Sequence, residues 1–142
     1  MRTPFQETNS EFSKDGRWIA YESDESGRFE IYAQPFPGPG ERVQISTTGG
    51  VQVRWRHDGK EIIYLASDNT LTAATVTSQP SGFDVGAVRP LFAVRPRPMV
   101  RLDAYPYDVS SDGQRFLVNT LVADATSTAI TLVVNWTAGL KK

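Results

Sequence analysis

The sequence predicts an all-β protein built from repeated four-stranded antiparallel sheets. An Asp-Gly pair occurs three times, at Asp15-Gly16, Asp58-Gly59 and Asp112-Gly113, and the segments around the three pairs align without gaps. The three aspartates are 43 and 54 residues apart. Eleven Gly and nine Pro interrupt most of the chain. The long stretches free of both residues are rich in Thr, Val and Ile, which favour strands over helices.

Each Asp-Gly pair predicts a β-hairpin, because this dipeptide supplies the positive φ that a tight turn between two strands requires. An apolar residue stands three positions before each Asp and another stands six positions after it. These residues are Phe12, Trp55 and Val109 before the turn, and Tyr21, Tyr64 and Val118 after it. The repeat spacing is close to the ~40 to 50 residues of one propeller blade. We therefore predict a segment of a β-propeller with about three blades.

The first predicted blade spans about residues 9–47. Its third strand is Phe29–Phe36, and Arg42–Ser46 closes the sheet after a Gly- and Pro-rich loop. Residues 1–8 precede the first hairpin, and we interpret them as the outer strand that completes a neighbouring blade. Pro4 is compatible with this place, because proline is tolerated on an outer edge.

The second predicted blade spans about residues 50–94, and the third spans about residues 104–137. In the second blade, Thr70–Val76 and Arg89–Ala93 are the third and fourth strands, with a loop between them. The third blade contains only three predicted strands, which are Tyr107–Ser110, Arg115–Leu121 and Ile130–Asn135. We place a polar turn at 124–128 between its last two strands.

The segment Phe12–Tyr21 resembles the blade signature of the TolB-like β-propellers, an FSPDG-like turn followed by a WIAY-like strand. Lys14 replaces the usual Pro, and His57 and Ser111 occupy the same position in the other two hairpins. In the second hairpin Arg56 also replaces Ser. The segments 30–46, 53–65 and 130–142 are similar to the end of the propeller that follows the kinase domain in certain bacterial serine/threonine protein kinases.

The resemblance implies a non-catalytic module for protein or ligand binding or sensing, located at the C-terminal end of a bacterial receptor-type kinase. It also implies a periplasmic or extracytoplasmic location for this segment. The chain has no kinase glycine loop, H-R-D or D-F-G motif, and no G-x-S-x-G elbow, so we expect no catalysis by this segment. Two alternatives remain open: the gating propeller of a prolyl-oligopeptidase-type peptidase, and a free-standing TolB-like scaffold.

Composition excludes several other functions. Fifteen Lys and Arg against sixteen Asp and Glu give a net charge of -1, so no broad cationic surface for nucleic acid or anionic lipid is expected. No apolar run is long enough to cross a bilayer, and we expect no membrane contact by this segment. With no Cys and a single His, we predict no metal site and no cofactor.

Five arginines are the candidate contacts for a partner protein or a small anionic ligand. They are Arg54, Arg56, Arg95, Arg97 and Arg101. The first two flank Trp55 on a predicted inner strand, and the others cluster between the second and third blades. Arginine holds carboxylates and phosphates in a bidentate manner. His57, in contrast, is interpreted as a solvated turn residue.

Three blades are too few to close a propeller, which needs about four to eight. An open arc exposes one sheet face at each end. We expect two copies of the chain to close a six-bladed ring around a two-fold axis, with residues 1–8 supplying the outer strand of the partner's third blade. Alternatively, upstream blades of a longer parent protein cover the exposed sheet face.

Overall fold

The computed structural model describes residues 4–79, 82–95, 105–120 and 130–134, and all regular structure in them is β-strand. The first sheet contains β1 (Glu7–Phe12), β2 (Trp18–Ser23), β3 (Glu30–Pro35) and β4 (Val43–Gln44). The second contains β5 (Gly50–Trp55), β6 (Glu61–Ala66), β7 (Thr70–Gln79) and β8 (Gly82–Ala93). The third contains β9 (Tyr107–Val109), β10 (Arg115–Asn119) and β11 (Ile130–Val134).

Within every sheet the strands lie side by side in chain order and all pairings are antiparallel. Each sheet is therefore a meander that corresponds to one propeller blade, and we name them blades 1, 2 and 3. The predicted all-β architecture of four-stranded antiparallel blades is confirmed. None of the described residues forms a helix long and apolar enough to span a membrane.

Two apolar cores hold the blades together face to face. The core between blades 1 and 2 is built around Trp18, Ile31, Trp55, Ile62, Tyr64 and Phe83. The core between blades 2 and 3 is built around Ile63, Leu65, Leu71, Tyr107, Phe116 and Val118. Neighbouring residues of β6 thus point into different cores, as the period-2 alternation of a strand requires. Blade 2 is buried on both faces.

The Asp-Gly turns are stabilised by the aspartate side chain. In blade 1, Ser13 Oγ donates to Asp15 Oδ1 at 2.7 Å, and the backbone N–H of Arg17 donates to the same oxygen at 3.1 Å. Gly16 adopts a φ of 68°, in the left-handed region that glycine enters without a Cβ clash. Asp112 is bonded by Ser110 and by the Gln114 N–H in the same way. The same hydrogen bonds to the turn aspartate therefore recur in blades 1 and 3.

The outer hairpin of blade 2 is longer than the sequence prediction. Pairing between β7 and β8 continues to Gln79 and Gly82, where a loop is predicted. Phe83 on this extension packs against the rings of Trp18 and Trp55, with centroid distances of 4.7 and 6.1 Å. Burial of Phe83 against blade 1 explains why the strands extend through polar sequence.

Smaller differences occur at the chain's ends and in blade 1. Glu7, predicted to belong to the outer strand of a neighbouring blade, is instead the first residue of β1 and pairs with Ser23. The fourth strand of blade 1 is reduced to Val43–Gln44. The predicted turn at 124–128 lies outside the described residues.

Candidate binding concavity

A concavity of about 440 Å³ lies where the first strands of the three blades come together. It is lined by Glu11, Phe12, Lys14, Arg54, Trp55, Arg56, His57, Asp108, Val109 and Ser111. Every blade contributes the end of its first strand and the start of its Asp-Gly turn. In a propeller the first strand of each blade is the inner one, so this concavity faces the central axis.

Six of the lining residues occupy two equivalent positions of the repeat. In each blade one of these residues stands four positions before the turn aspartate: Glu11, Arg54 and Asp108. Lys14, His57 and Ser111 each stand directly before that aspartate. The repeat therefore brings together residues that are about 100 positions apart in the chain, and it surrounds the concavity with both acidic and basic groups.

Arg54 is held in place from two sides. Its guanidinium lies over the ring of Tyr105, with 3.6 Å between the guanidinium carbon and the ring centroid. Its Nη1 is 3.9 Å from Oε2 of Glu11. A cation over an aromatic face is attracted by the ring quadrupole, and the carboxylate adds charge attraction. Arg54 thus links the first strands of blades 1 and 2 to the segment that enters blade 3.

Glu11 is the acidic partner at the centre of this arrangement. Its Oε2 accepts a hydrogen bond from the backbone N–H of Trp55 at 3.0 Å. Burial raises the pKa of the Glu11 carboxyl, while the Trp55 N–H and the Arg54 charge oppose that rise. Glu11 therefore keeps a hydrogen-bonded, charge-paired carboxyl at the wall of the concavity.

Arg56 is also occupied by partners within the chain. Its Nε donates to Asp58 Oδ1 at 2.8 Å, and its Nη1 donates to Glu61 Oε2 at 2.6 Å. Its hydrogen bond holds the pKa of Asp58 at about 2. Arg56 stands where Ser13 and Ser110 stand in the other blades, and it performs the same task of bonding the turn aspartate. The substitution of Ser by Arg is thereby explained.

Of the three predicted arginines that the structure describes, Arg54 and Arg56 line the concavity together and Arg95 does not. Arg95 follows β8, beside Val94, whose N–H donates to Asn69 O at the end of blade 2 opposite the Asp58 turn. Arg95 thus lies in the connection between blades 2 and 3, as predicted from the sequence, and this connection leaves from the end of blade 2 that is opposite the concavity. Arg97 and Arg101 lie outside the described residues.

His57 is exposed at the rim of the concavity, as expected of a turn residue. In the described part of the chain, no group of three metal-ligating side chains is found. Three residues near Arg54 are not among the candidates predicted from the sequence: Glu11, Asp108 and Tyr105. The first two share its position in the repeat, so a column-by-column reading of the three hairpins could have found them.

Comparison with solved structures gives two similar folds. TolB from Acinetobacter baumannii matches with a TM-score of 0.61 and 19% identity over 89% of this chain and 29% of that protein. A protein described as a candidate TolB from Agrobacterium tumefaciens matches with a TM-score of 0.61 and 14% identity, over 95% of this chain and 47% of that protein. No protein-family model and no curated protein sequence matches.

The chain thus spans less than half the length of either TolB structure. At this level of identity the similarity establishes the fold. The chain has the TolB-like β-propeller fold and forms a segment of such a propeller.

Proposed function

We propose that this chain is a non-catalytic β-propeller module that binds a protein segment in the concavity formed by its three inner strands. The observation that carries the proposal is the repeat geometry of the site. Each blade contributes one inner-strand side chain and one turn side chain to the same surface. Ligand sites in barrel- and propeller-like folds form where such elements converge on a concave mouth.

The charges of the concavity favour a peptide over a small anion. Arg56 has two close carboxylate partners in the chain, Asp58 and Glu61, and Arg54 lies 3.9 Å from the carboxylate of Glu11. Glu11 and Asp108 add negative charge beside the basic Lys14. A phosphate or carboxylate ion would have to compete with carboxylates already in place. An extended peptide can instead present donors, acceptors and both charges along several blades.

Chemical-shift mapping with three probes tests the site. The probes are inorganic phosphate, a polyglutamate peptide and a peptide of alternating Glu and Lys. We expect the mixed-charge peptide to shift the amide signals of Lys14, His57 and Ser111 more than the other two probes do. Stronger shifts with phosphate at the same amides would identify an anion site instead, and no shift with any probe would contradict the proposed concavity.

Two lysine variants provide a matched comparison. Lys14→Glu reverses a charge that lines the concavity, and we expect it to weaken peptide binding about fivefold. Lys60→Glu reverses an exposed charge on the blade 2 turn that is not part of the lining, and its affinity should equal that of the wild type. Equal weakening by both variants would indicate only non-specific charge attraction.

We propose further that the parent protein is a bacterial receptor-type serine/threonine kinase and that this propeller is its extracytoplasmic sensing part. The support is the sequence resemblance of the segments 30–46, 53–65 and 130–142. The gating propeller of a prolyl-oligopeptidase-type peptidase and a free-standing TolB-like scaffold are the alternatives. A kinase domain and a membrane helix encoded upstream would support the first, and a hydrolase domain in the same gene would overturn it.

A further inference from the structure

We propose that the outward faces of blades 1 and 3 are two halves of one interface, and that a second copy of this chain covers both to close a six-bladed ring. We name the face of blade 1 that points away from blade 2 the leading face, and it contains Phe12, Ile19, Tyr21 and Phe36. We name the face of blade 3 that points away from blade 2 the trailing face, and it contains Arg115, Leu117 and Asn119. Phe12 also lines the concavity, whereas Leu117 does not, so the variant at Leu117 tests the interface separately from the concavity.

The leading face repeats the residues with which blade 2 packs on blade 1. By alignment on the turn aspartate, Phe12 is equivalent to Trp55, and by sheet register Phe36 is equivalent to Val76. Trp55 is 8% exposed and Val76 is 3% exposed, because blade 1 covers them. Phe12 and Phe36 are 49% and 48% exposed. Around these two rings blade 1 therefore presents a blade-packing surface with no blade on it in the described part of the chain, whereas Tyr21 on the same face is only 5% exposed.

The two exposed phenylalanines form a single patch. Their rings meet edge to face, with 4.9 Å between the centroids. The equivalent positions in blade 2 both belong to the buried core between blades 1 and 2. Large exposed aromatic surface of this kind marks an association site.

The trailing face of blade 3 also exposes side chains at positions that are buried in blades 1 and 2. Arg115, Leu117 and Asn119 are exposed along β10, while Phe116 and Val118 between them are buried against blade 2. Leu117 is 46% exposed, whereas its equivalents Ala20 and Ile63 are almost fully buried. In the part of blade 3 whose side chains the structure describes, the face that would contact a next blade is thus exposed.

The contact between blades 1 and 2 indicates how the leading and trailing faces would fit each other. At the interface of blades 1 and 2, Trp18 packs close to Phe83 and belongs to the same core as Trp55. Arg115 is the equivalent of Trp18 on the trailing face and Phe12 is the equivalent of Trp55 on the leading face, so the two side chains would belong to one core between the copies. A guanidinium against exposed phenylalanine rings forms a favourable cation–π contact.

Blade number selects the second copy as the occupant. Propellers close with about four to eight blades, and two copies of this three-bladed segment supply six, a number within that range. A head-to-tail contact that closes after two copies forms a ring with a two-fold axis, and two-fold assemblies are the commonest in soluble proteins. Each copy would place its trailing face on the leading face of the other.

Sedimentation equilibrium of the 142-residue chain at micromolar concentration tests the ring. We expect twice the 15.7 kDa mass of one chain. Phe12→Lys and Leu117→Asp should each raise the dimer dissociation constant at least about tenfold, because the first change places a second cation beside Arg115 and the second places a carboxylate against the aromatic rings of the leading face. Val88→Asp is the control, since Val88 is 49% exposed on β8, outside both faces. Far-UV circular dichroism would check that all variants remain folded.

Mixing the two variants distinguishes a head-to-tail ring from a symmetric contact between two leading faces. A mixed ring of Phe12→Lys and Leu117→Asp chains retains one wild-type interface, so the mixture should associate more tightly than either variant alone. A dimer that is unaffected by Leu117→Asp would overturn the head-to-tail arrangement. A wild-type monomer at 100 µM, or an open polymer, would overturn the ring and leave the faces to further blades of a longer chain.

Discussion

Both N–H groups of Trp55 donate to Glu11. The backbone N–H of Trp55 donates to the Glu11 carboxylate at 3.0 Å, and its indole Nε1 donates to the Glu11 backbone carbonyl at 3.1 Å. Trp55 ends β5 and Glu11 lies near the end of β1, so these bonds join the inner strands of two blades. The same residues that build the wall of the concavity therefore also fix the angle between blades 1 and 2.

Replacing Glu11 should destabilise the protein according to how much of this contact is lost. Glu11→Ala leaves the Trp55 N–H without its acceptor and Arg54 without its carboxylate, and we expect a loss of ~1–3 kcal/mol in the free energy of unfolding. Glu11→Gln retains an acceptor oxygen, so its loss should be about half as large or less. Urea denaturation measures both. Equal losses in the two variants would show that the hydrogen bond to Trp55 contributes nothing.

Phe83 is expected to be among the most important apolar side chains for the packing of the blades. It is buried between Trp18 and Trp55 although it belongs to the outer hairpin of blade 2. Phe83→Ala should lower the free energy of unfolding by ~3–5 kcal/mol, as is typical of a buried phenylalanine. Val88→Ala on the same strand, at an exposed position, should cost less than ~1 kcal/mol. A loss below ~1 kcal/mol for Phe83→Ala would contradict the assigned core.

The position of Phe83 also shows what the sequence can predict about this fold. The Asp-Gly hairpins are predictable because the turn, its glycine and the flanking apolar residues are local and recur three times. The extension of β7 and β8 is not predictable in this way. Its local sequence contains Pro and Gly, which favour a loop, and the stabilising contact is with Trp18 of another blade.

For the candidate site, too, the residue on the strand is predictable from the local sequence, whereas its neighbours from other blades are not. The importance of Arg54 follows from its place beside Trp55 on an inner strand. Its actual neighbours, Glu11 and Tyr105, come from other blades or from the connection between blades, and their approach depends on how the blades pack. Arg95 is a candidate because of its residue type and its place between blades 2 and 3, and the end of the sheet at which this connection leaves is known only from the strand pairing.

Gly113 should be less tolerant of alanine than Gly59 is. Both glycines have a positive φ, at 69° and 74°, so alanine strains the backbone at either position. A Cβ at Gly113 would also lie 2.4 Å from Cδ of Arg56, whereas nothing lies within 4 Å of a Cβ at Gly59. Gly59→Ala should therefore cost ~1 kcal/mol and Gly113→Ala clearly more. Thermal or urea unfolding of the two variants would reveal equal costs if Arg56 simply moves aside.

Asp15 should make the stability of blade 1 depend on pH in the acidic range. The Ser13 hydroxyl, followed by the Arg17 N–H and side chain, lowers the pKa of Asp15 from 3.8 to about 2. A carboxyl whose pKa is lower in the folded state favours folding when it is ionised. Its contribution is therefore fully present above about pH 4 and is lost as the pH falls through about 2.

Asp15→Asn removes this contribution, because the amide carries no charge at any pH. We expect the urea midpoint of the variant to lie below that of the wild type at pH 7, and the difference to shrink as the pH falls from 4 towards 2. Asp84→Asn, a change at an exposed position on β8 away from the turn, controls for the general effect of removing a negative charge. If the difference between Asp15→Asn and the wild type is the same at pH 7 and pH 2.5, the hydrogen bonds of the turn aspartate do not depend on its ionisation.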